Sequence, residues 1–303
     1  MTLRVRHISI ISLALLLDSC SVMRPDYSSH TAGIPASPGY TPRGTVEEVY
    51  YSCSVPGPTR RRMIVYLPEG YYDNDARYPV VYLLHGARGY ETAWIEKGSM
   101  LQLTDSLYAN NLAVPAIVVM PNVNQYDDDA DYANSRPKGP LESIFEIDGV
   151  VESGFLRDVV SFVDSLYRTI PDRQHRAIAG LSVGGRQSIT IAANEPDFFG
   201  WVGSFSPYMP VRGKNSRYRD YYGNFKGKLD SQFLLEPPEG FYLMNGRSDH
   251  YSLGTRKFHR HLVRKGYQHT WVVTPGGHDW PNWKEYYTMS MQMFFRDDKQ
   301  EEL

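Results

Sequence analysis

The chain has 303 residues, enough for one large α/β domain or two small ones, and its 42% hydrophobic and 22% charged residues give the balance of a globular protein that needs no staples. A formal net charge of −2 excludes the basic footprint of a nucleic-acid binder and leaves no acidic tail. Two cysteines, Cys20 and Cys53, are too few for a disulfide framework.

The chain opens with Arg4 and Arg6, followed by an apolar run over residues 8–17 that is too short to span a bilayer. Leu17-Asp18-Ser19-Cys20 comes next. Charge followed by an apolar stretch reads as a secretory signal peptide. Its ending resembles a bacterial lipobox, in which the cysteine is lipidated and becomes the first mature residue, although Asp18 is an unusual occupant. Lipid on Cys20 tethers a protein to a membrane surface without spanning it. The expected plan is a signal peptide and lipobox over residues 1–20 and a Ser/Pro/Gly/Thr-rich linker over 21–44. One α/β domain follows over 45–297, then a tail over 298–303. The expected location is outside the cytoplasm, as an envelope lipoprotein or a secreted protein, with membrane contact only through the anchor.

Residues 45–55 and 61–67 are β-prone on either side of Pro56-Gly57-Pro58 and read as an antiparallel pair. Residues 79–84 form a near-continuous apolar run, as expected of a strand buried on both faces of a parallel sheet. His85-Gly86-Ala87-Arg88-Gly89 follows directly, where lipases and esterases place half of an oxyanion hole. The candidate donors are the backbone N–H groups of Ala87 and of Val183. His85 is expected to be structural, because a strand-end histidine this early is out of chain order for a base.

Residues 98–110 predict a helix, with Met100, Leu101, Leu103 and Leu107 on its apolar face, and residues 116–120 another buried strand. The polar stretch 122–140 holds Asp127, Asp128, Asp129 and Asp131 but lacks the glycine and terminal glutamate of an EF-hand, so it reads as a solvated loop. A 3.6-residue period over 153–168 predicts a helix crossing back over the sheet.

Gly180-Leu181-Ser182-Val183-Gly184-Gly185 then joins the apolar strand residues 177–179 to a helix-compatible stretch, 186–194. G-x-S-x-G between strand and helix describes a nucleophile elbow, a strained turn that tolerates only small neighbours. Ser182 is the candidate nucleophile, placed at a helix N-terminus that favours developing negative charge.

Residues 201–206 read as a strand, and 211–233 as a polar, basic, tyrosine-rich insertion with no clean period, beside the site and setting substrate choice. A strand over 240–246 ends just before Asp249 and His250. A helix over 253–265, a last strand over 269–274, the loop Pro275-Gly276-Gly277-His278-Asp279-Trp280 and a closing helix over 283–295 complete the chain. Alternation of strands and helices implies a mostly parallel central sheet covered on both faces, plus the N-terminal antiparallel pair.

A serine hydroxyl needs a base, and the base needs an acid that fixes its tautomer. Ser182, Asp249 and His278 follow strands in the chain order serine, acid, histidine. The rivals fit less well. His250 adjoins Asp249, and loop neighbours rarely face one site. His259 and His261 fall in a helix, and His175 precedes the elbow strand. Asp279 sits beside His278 and cannot reach around to it, and Glu236 and Glu239 lie at the wrong end of a strand.

These residues resemble the esterase D-like esterases, especially the feruloyl and acetylxylan esterases of carbohydrate esterase family 1. The resemblance is carried by Tyr82-Leu83-Leu84-His85-Gly86 with Trp94, by Ala179 to Gly185, by Asn245-Gly246-Arg247-Ser248-Asp249, and by Pro275 to Trp280 with Trp283. It covers about residues 45–297. It implies an α/β-hydrolase fold without a large lid, a Ser-Asp-His triad, and neither metal nor cofactor. The implied substrate is an acyl ester, feruloyl or acetyl, on plant cell-wall xylan. Val183 stands where family members often have Met, and Ala87-Arg88 replaces a glycine-richer loop. Related mycolyltransferases place a Leu-Arg pair there, which marks Arg88 as a substrate contact, while Trp280 and Trp283 are candidate walls of the acyl pocket. Two alternatives remain open: an acyltransferase, siderophore or S-formylglutathione esterase on the same fold, and a catalytically dead glycan-binding lipoprotein.

Overall fold

The computed structural model describes residues 40–55, 59–124, 149–209, 221 and 223–296. The signal segment with Cys20, most of the linker, Pro56-Gly57-Pro58, the aspartate-bearing loop, residues 210–220 and 222 of the expected insertion, and the C-terminal tail lie outside the described residues.

Among the described residues eight strands form one sheet: β1 (Thr45–Ser52), β2 (Arg60–Leu67), β3 (Val80–Leu84), β4 (Ile117–Pro121), β5 (Arg176–Leu181), β6 (Trp201–Phe205), β7 (Gly240–Gly246) and β8 (Thr270–Thr274). Their order is β1-β2-β4-β3-β5-β6-β7-β8. β1 and β2 pair antiparallel, β2 meets β4 antiparallel, and every pairing from β4 to β8 is parallel. β3, β4 and β5 are buried at every position, which is why they read as apolar runs, broken only by Arg176 at the start of β5, which pairs with Asp164.

Side-chain alternation sends successive residues to two separate cores. Val80, Tyr82, Leu84 and Ile178 point into one, with Phe155, Val163, Ile189, Leu229 and Leu262. Val81, Leu83, Ala177 and Ala179 point into the other, with Leu101, Leu107, Tyr287 and Met291. The helices therefore divide into two layers. One holds α3 (Val150–Gly154, continuing through Phe155–Val160 and Ser161–Leu166), α4 (Val183–Asn194), α5 (Phe225–Leu235) and α6 (Ser252–Lys265). The other holds α1 (Ala93–Glu96), α2 (Met100–Ala109) and α7 (Trp280–Met293). This is the α/β-hydrolase fold. Among the described residues no helix is long and apolar enough to cross a membrane.

Three elements depart from the sequence reading. α3 starts at Val150, and its middle turn over Phe155–Val160 is π-helical. That widened turn presents Asp158 to the Ser54 N–H at 2.9 Å, tying the helix to the end of β1. α7 starts at Trp280 because Asp279 caps it, accepting from the Asn282 N–H at 3.2 Å, with proline in the first turn. The second half of the expected insertion is α5, not an irregular segment. It packs on α4 and puts Leu229 and Phe233 into the core. Phe225, Leu229 and Phe233 recur at four-residue steps on one face. Exposed Leu234 and Leu235, adjacent to them, hide that period.

The strand order places the site. From β3 the chain moves outward to β4, then crosses back to β5 on the other side of β3. The loops after β3 and β5 thus leave the sheet in opposite directions, opening the crevice in which open α/β sheets bind ligands.

Candidate active site

β5 ends at Leu181 and α4 begins at Val183, so Ser182 alone turns the chain, with φ 54° and ψ −113°. Such a backbone costs a non-glycine residue roughly 1–3 kcal/mol and persists only where its surroundings hold it. Here the Ser182 N–H donates to the Phe205 carbonyl at 2.8 Å, and the Ser182 carbonyl accepts from the Tyr208 N–H at 3.0 Å. The flanking glycines are required by close approach. A Cβ on Gly184 would lie 2.3 Å from the His85 carbonyl oxygen, and one on Gly180 would lie 2.7 Å from the Gly184 backbone.

His278, in the loop after β8, reaches back over the sheet to this serine. Its Nε2 lies 2.9 Å from Ser182 Oγ, and its Nδ1 lies 2.9 Å from Asp249 Oδ2. Asp249 follows β7 and its side chain is fully buried. Burial pushes its pKa up, but hydrogen bonding from His278, Ser206 and the Tyr251 N–H outweighs this and holds the carboxyl below its usual value. The Tyr251 N–H donates to Oδ1 at 2.7 Å. The Ser206 hydroxyl is turned towards the same carboxylate, on a backbone with φ 48°. An ionised Asp249 accepts from Nδ1–H, which leaves Nε2 to accept the serine proton.

The loop carrying His278 is braced from below. Asn282 donates from Nδ2 to the Gly277 carbonyl at 2.8 Å, and the ring of Trp283 meets that of His278 edge to face at 5.0 Å. Trp283, Trp280 and Trp94 continue as edge-to-face pairs at 5.2 and 5.3 Å. Trp280 and Trp283 thus support the histidine as well as lining the cleft.

On the other side, the loop after β3 turns at Gly86, whose carbonyl accepts from the Gly89 N–H at 3.0 Å. A Cβ on Gly86 would lie 3.3 Å from the Cβ of Ser182, so this turn abuts the elbow. Ala87 packs against Val183, bringing the two residues expected to supply oxyanion donors together. His85 is buried beneath. Its Nε2 accepts from the Val123 N–H at 3.0 Å, and its Nδ1 donates to the Gly86 carbonyl at 2.8 Å. Burial pushes its pKa down to about 4, so it holds the loop as a neutral ring.

Ser182, His278, Ala87, Arg88, Trp280 and Trp283 all line one cleft of about 370 Å³. His250 also lines it, 4.8 Å from the His278 ring, although its place beside Asp249 argues for a residue facing away. The other rivals are elsewhere. His259 pairs with His269 at 2.8 Å, His175 with Asp172 at 2.6 Å, Glu239 with Arg173 at 3.2 Å, and Asp279 is the α7 cap. Tyr251 and Ser206 escaped the sequence reading. Tyr251 follows the acid by two positions and Ser206 directly follows a strand, which are the only signals either gives. Among the described residues no three His, Cys, Asp or Glu side chains are grouped to hold a metal ion.

The model of the family described as "Putative esterase" matches residues 56–237. A bacterial endo-1,4-beta-xylanase/feruloyl esterase from Xylanibacter ruminicola is 33% identical over 183 residues, 58% of this chain, and the chain spans only 23% of that protein's length. In fold, the chain is similar to the CE1 ferulic acid esterase of the anaerobic fungus Anaeromyces mucronatus, with a TM-score of 0.68 and 24% identity over 86% of this chain and 94% of that one. It is also similar to the S-formylglutathione hydrolase of Staphylococcus aureus, with a TM-score of 0.62 and 20% identity over 85% of this chain and 100% of that one. With more than half of its length matched by the family model, and the nucleophile elbow inside the match, the chain belongs to this esterase family.

Proposed function

We propose that the protein is a serine carboxylic-ester hydrolase that removes feruloyl or acetyl groups from a plant cell-wall polysaccharide such as xylan. The observation that carries this reading is His278, set between Ser182 Oγ and Asp249 Oδ2 at 2.9 Å from each. The substrate class draws on the xylanase/feruloyl esterase relative and on the ferulic acid esterase of like fold.

In this mechanism Ser182 Oγ attacks the ester carbonyl carbon while His278 Nε2 takes its proton. Asp249 stabilises the resulting imidazolium through Nδ1–H. The N–H groups of Ala87 and Val183 receive the oxyanion, each contributing about 3 kcal/mol to lowering the barrier. Collapse breaks the bond to the alcohol oxygen, which leaves with the proton from Nε2. Water, deprotonated by His278, then attacks the acyl-serine and releases the acid. His85, a neutral ring beneath the oxyanion loop, supports that loop through its bonds to the Gly86 carbonyl and the Val123 N–H. Export, expected from residues 1–20, suits an insoluble polymeric substrate.

The decisive assay is release of ferulate and acetate from arabinoxylan by the wild-type protein and by Ser182→Ala. The variant is expected to fold normally, to lose turnover of p-nitrophenyl acetate, and to lose labelling by a fluorophosphonate. Normal turnover by Ser182→Ala would overturn the assignment.

A further inference from the structure

Two cations stand at the rim of the Ser182 cleft with no ion-pair partner among the described residues. Arg88 and Lys97 both line the cleft and are both exposed. Neither side chain has an ion pair or hydrogen bond among the described residues, and no Asp or Glu is among the described residues lining the cleft. Several cations elsewhere in the fold do have carboxylate partners. Arg62 meets Glu91, Arg176 meets Asp164, Arg173 meets Glu239, and Lys265 meets Asp230.

Arg88 is also held at a conformational cost. Its φ of 59° places it in the left-handed region, at a turn position that glycine or asparagine occupies with less strain. The turn puts a guanidinium, a planar donor fork suited to carboxylates, beside the oxyanion loop.

The placement says which part of the ester would meet these charges. The inner lining is apolar and aromatic, from Leu181, Trp280 and Trp283, and suits the acyl group. The alcohol part must then extend outward past the rim. An anion there meets Arg88 and Lys97 while all three stay partly hydrated, so the attraction carries little desolvation cost.

We propose that Arg88 and Lys97 form a subsite for a carboxylate on the saccharide portion of the ester, so that the substrate is an acylated acidic glycan bearing uronic-acid residues. This rests on the esterase reading above and narrows its substrate.

The test uses the full chain and two feruloylated xylo-oligosaccharides that differ only in one glucuronic acid substituent. At low salt kcat/KM for the acidic ester is expected to exceed that for the neutral one by about fivefold to tenfold, and the ratio to fall towards one at high salt. The Arg88→Gln/Lys97→Gln double variant is expected to lose the ratio. A wild-type ratio near one at low salt, or a ratio that survives in the double variant, overturns the acidic-glycan subsite and leaves the esterase reading intact. No turnover of either ester, together with no fluorophosphonate labelling, overturns the esterase reading itself.

Discussion

His85 and His278 both sit at the carboxyl end of a parallel strand, on either side of the same serine, and they differ in what holds their two nitrogens. His85 is bound at both by backbone, the Gly86 carbonyl and the Val123 N–H, and burial keeps it neutral. His278 is bound at both by side chains, a carboxylate and a hydroxyl. Backbone partners lock a ring into the scaffold. A carboxylate on one nitrogen and a dissociable hydroxyl on the other let the ring gain and lose a proton in place. Partners, not residue type or position along a strand, separate the structural imidazole from the one proposed to react.

The contrast breaks most sharply at His278. His278→Gln is expected to lower kcat on p-nitrophenyl acetate by about 10⁵-fold with little change in Tm. A fall of less than tenfold would mean another group serves as base, with His250 next in line. Asp249→Asn keeps the shape but removes the acceptor for Nδ1–H, and kcat is expected to fall by about 10³ to 10⁴-fold.

His85 sharpens the comparison through stability. Its folded pKa of about 4 lies below the ordinary value for histidine, so the unfolded chain binds a proton first as the solution is acidified. Stability that is complete above about pH 6.5 is therefore lost as pH falls towards 4, by up to about 3 kcal/mol. Asp249 adds a second loss in more acidic solution, because a carboxyl held below its usual value stabilises the fold only while ionised. Urea unfolding across this range is expected to show the His85 slope in the wild type and a flatter one in His85→Asn. Equal slopes would mean that His85 is not held neutral.

Much of this was legible because the sheet is buried on both faces. Continuous apolar runs such as 80–84 and 117–121 have few other readings, and the residues just after them are the ones the fold exposes. The elbow was legible because Gly180 and Gly184 are forced by contact. α5 was obscured because two exposed leucines break the alternation that marks a half-buried helix. The π turn in α3 left no trace, since its apolar residues satisfy an ordinary helical period as well. His250 was misjudged because loop geometry, not spacing, aims its ring at the cleft. The family match ends at residue 237, ahead of both Asp249 and His278, so the reading of those two as acid and base rests on chain order and strand ends.

The proposed nucleophile is carried by the fifth strand, near the middle of the sheet, while the proposed base arrives with the eighth, at its edge. During synthesis the serine and its tight turn emerge from the ribosome about a hundred residues before the imidazole. On the proposed mechanism, a growing chain thus carries an inert hydroxyl until the outermost strand docks and brings the imidazole to it. The order of the strands makes arrival of the eighth a condition for the chemistry.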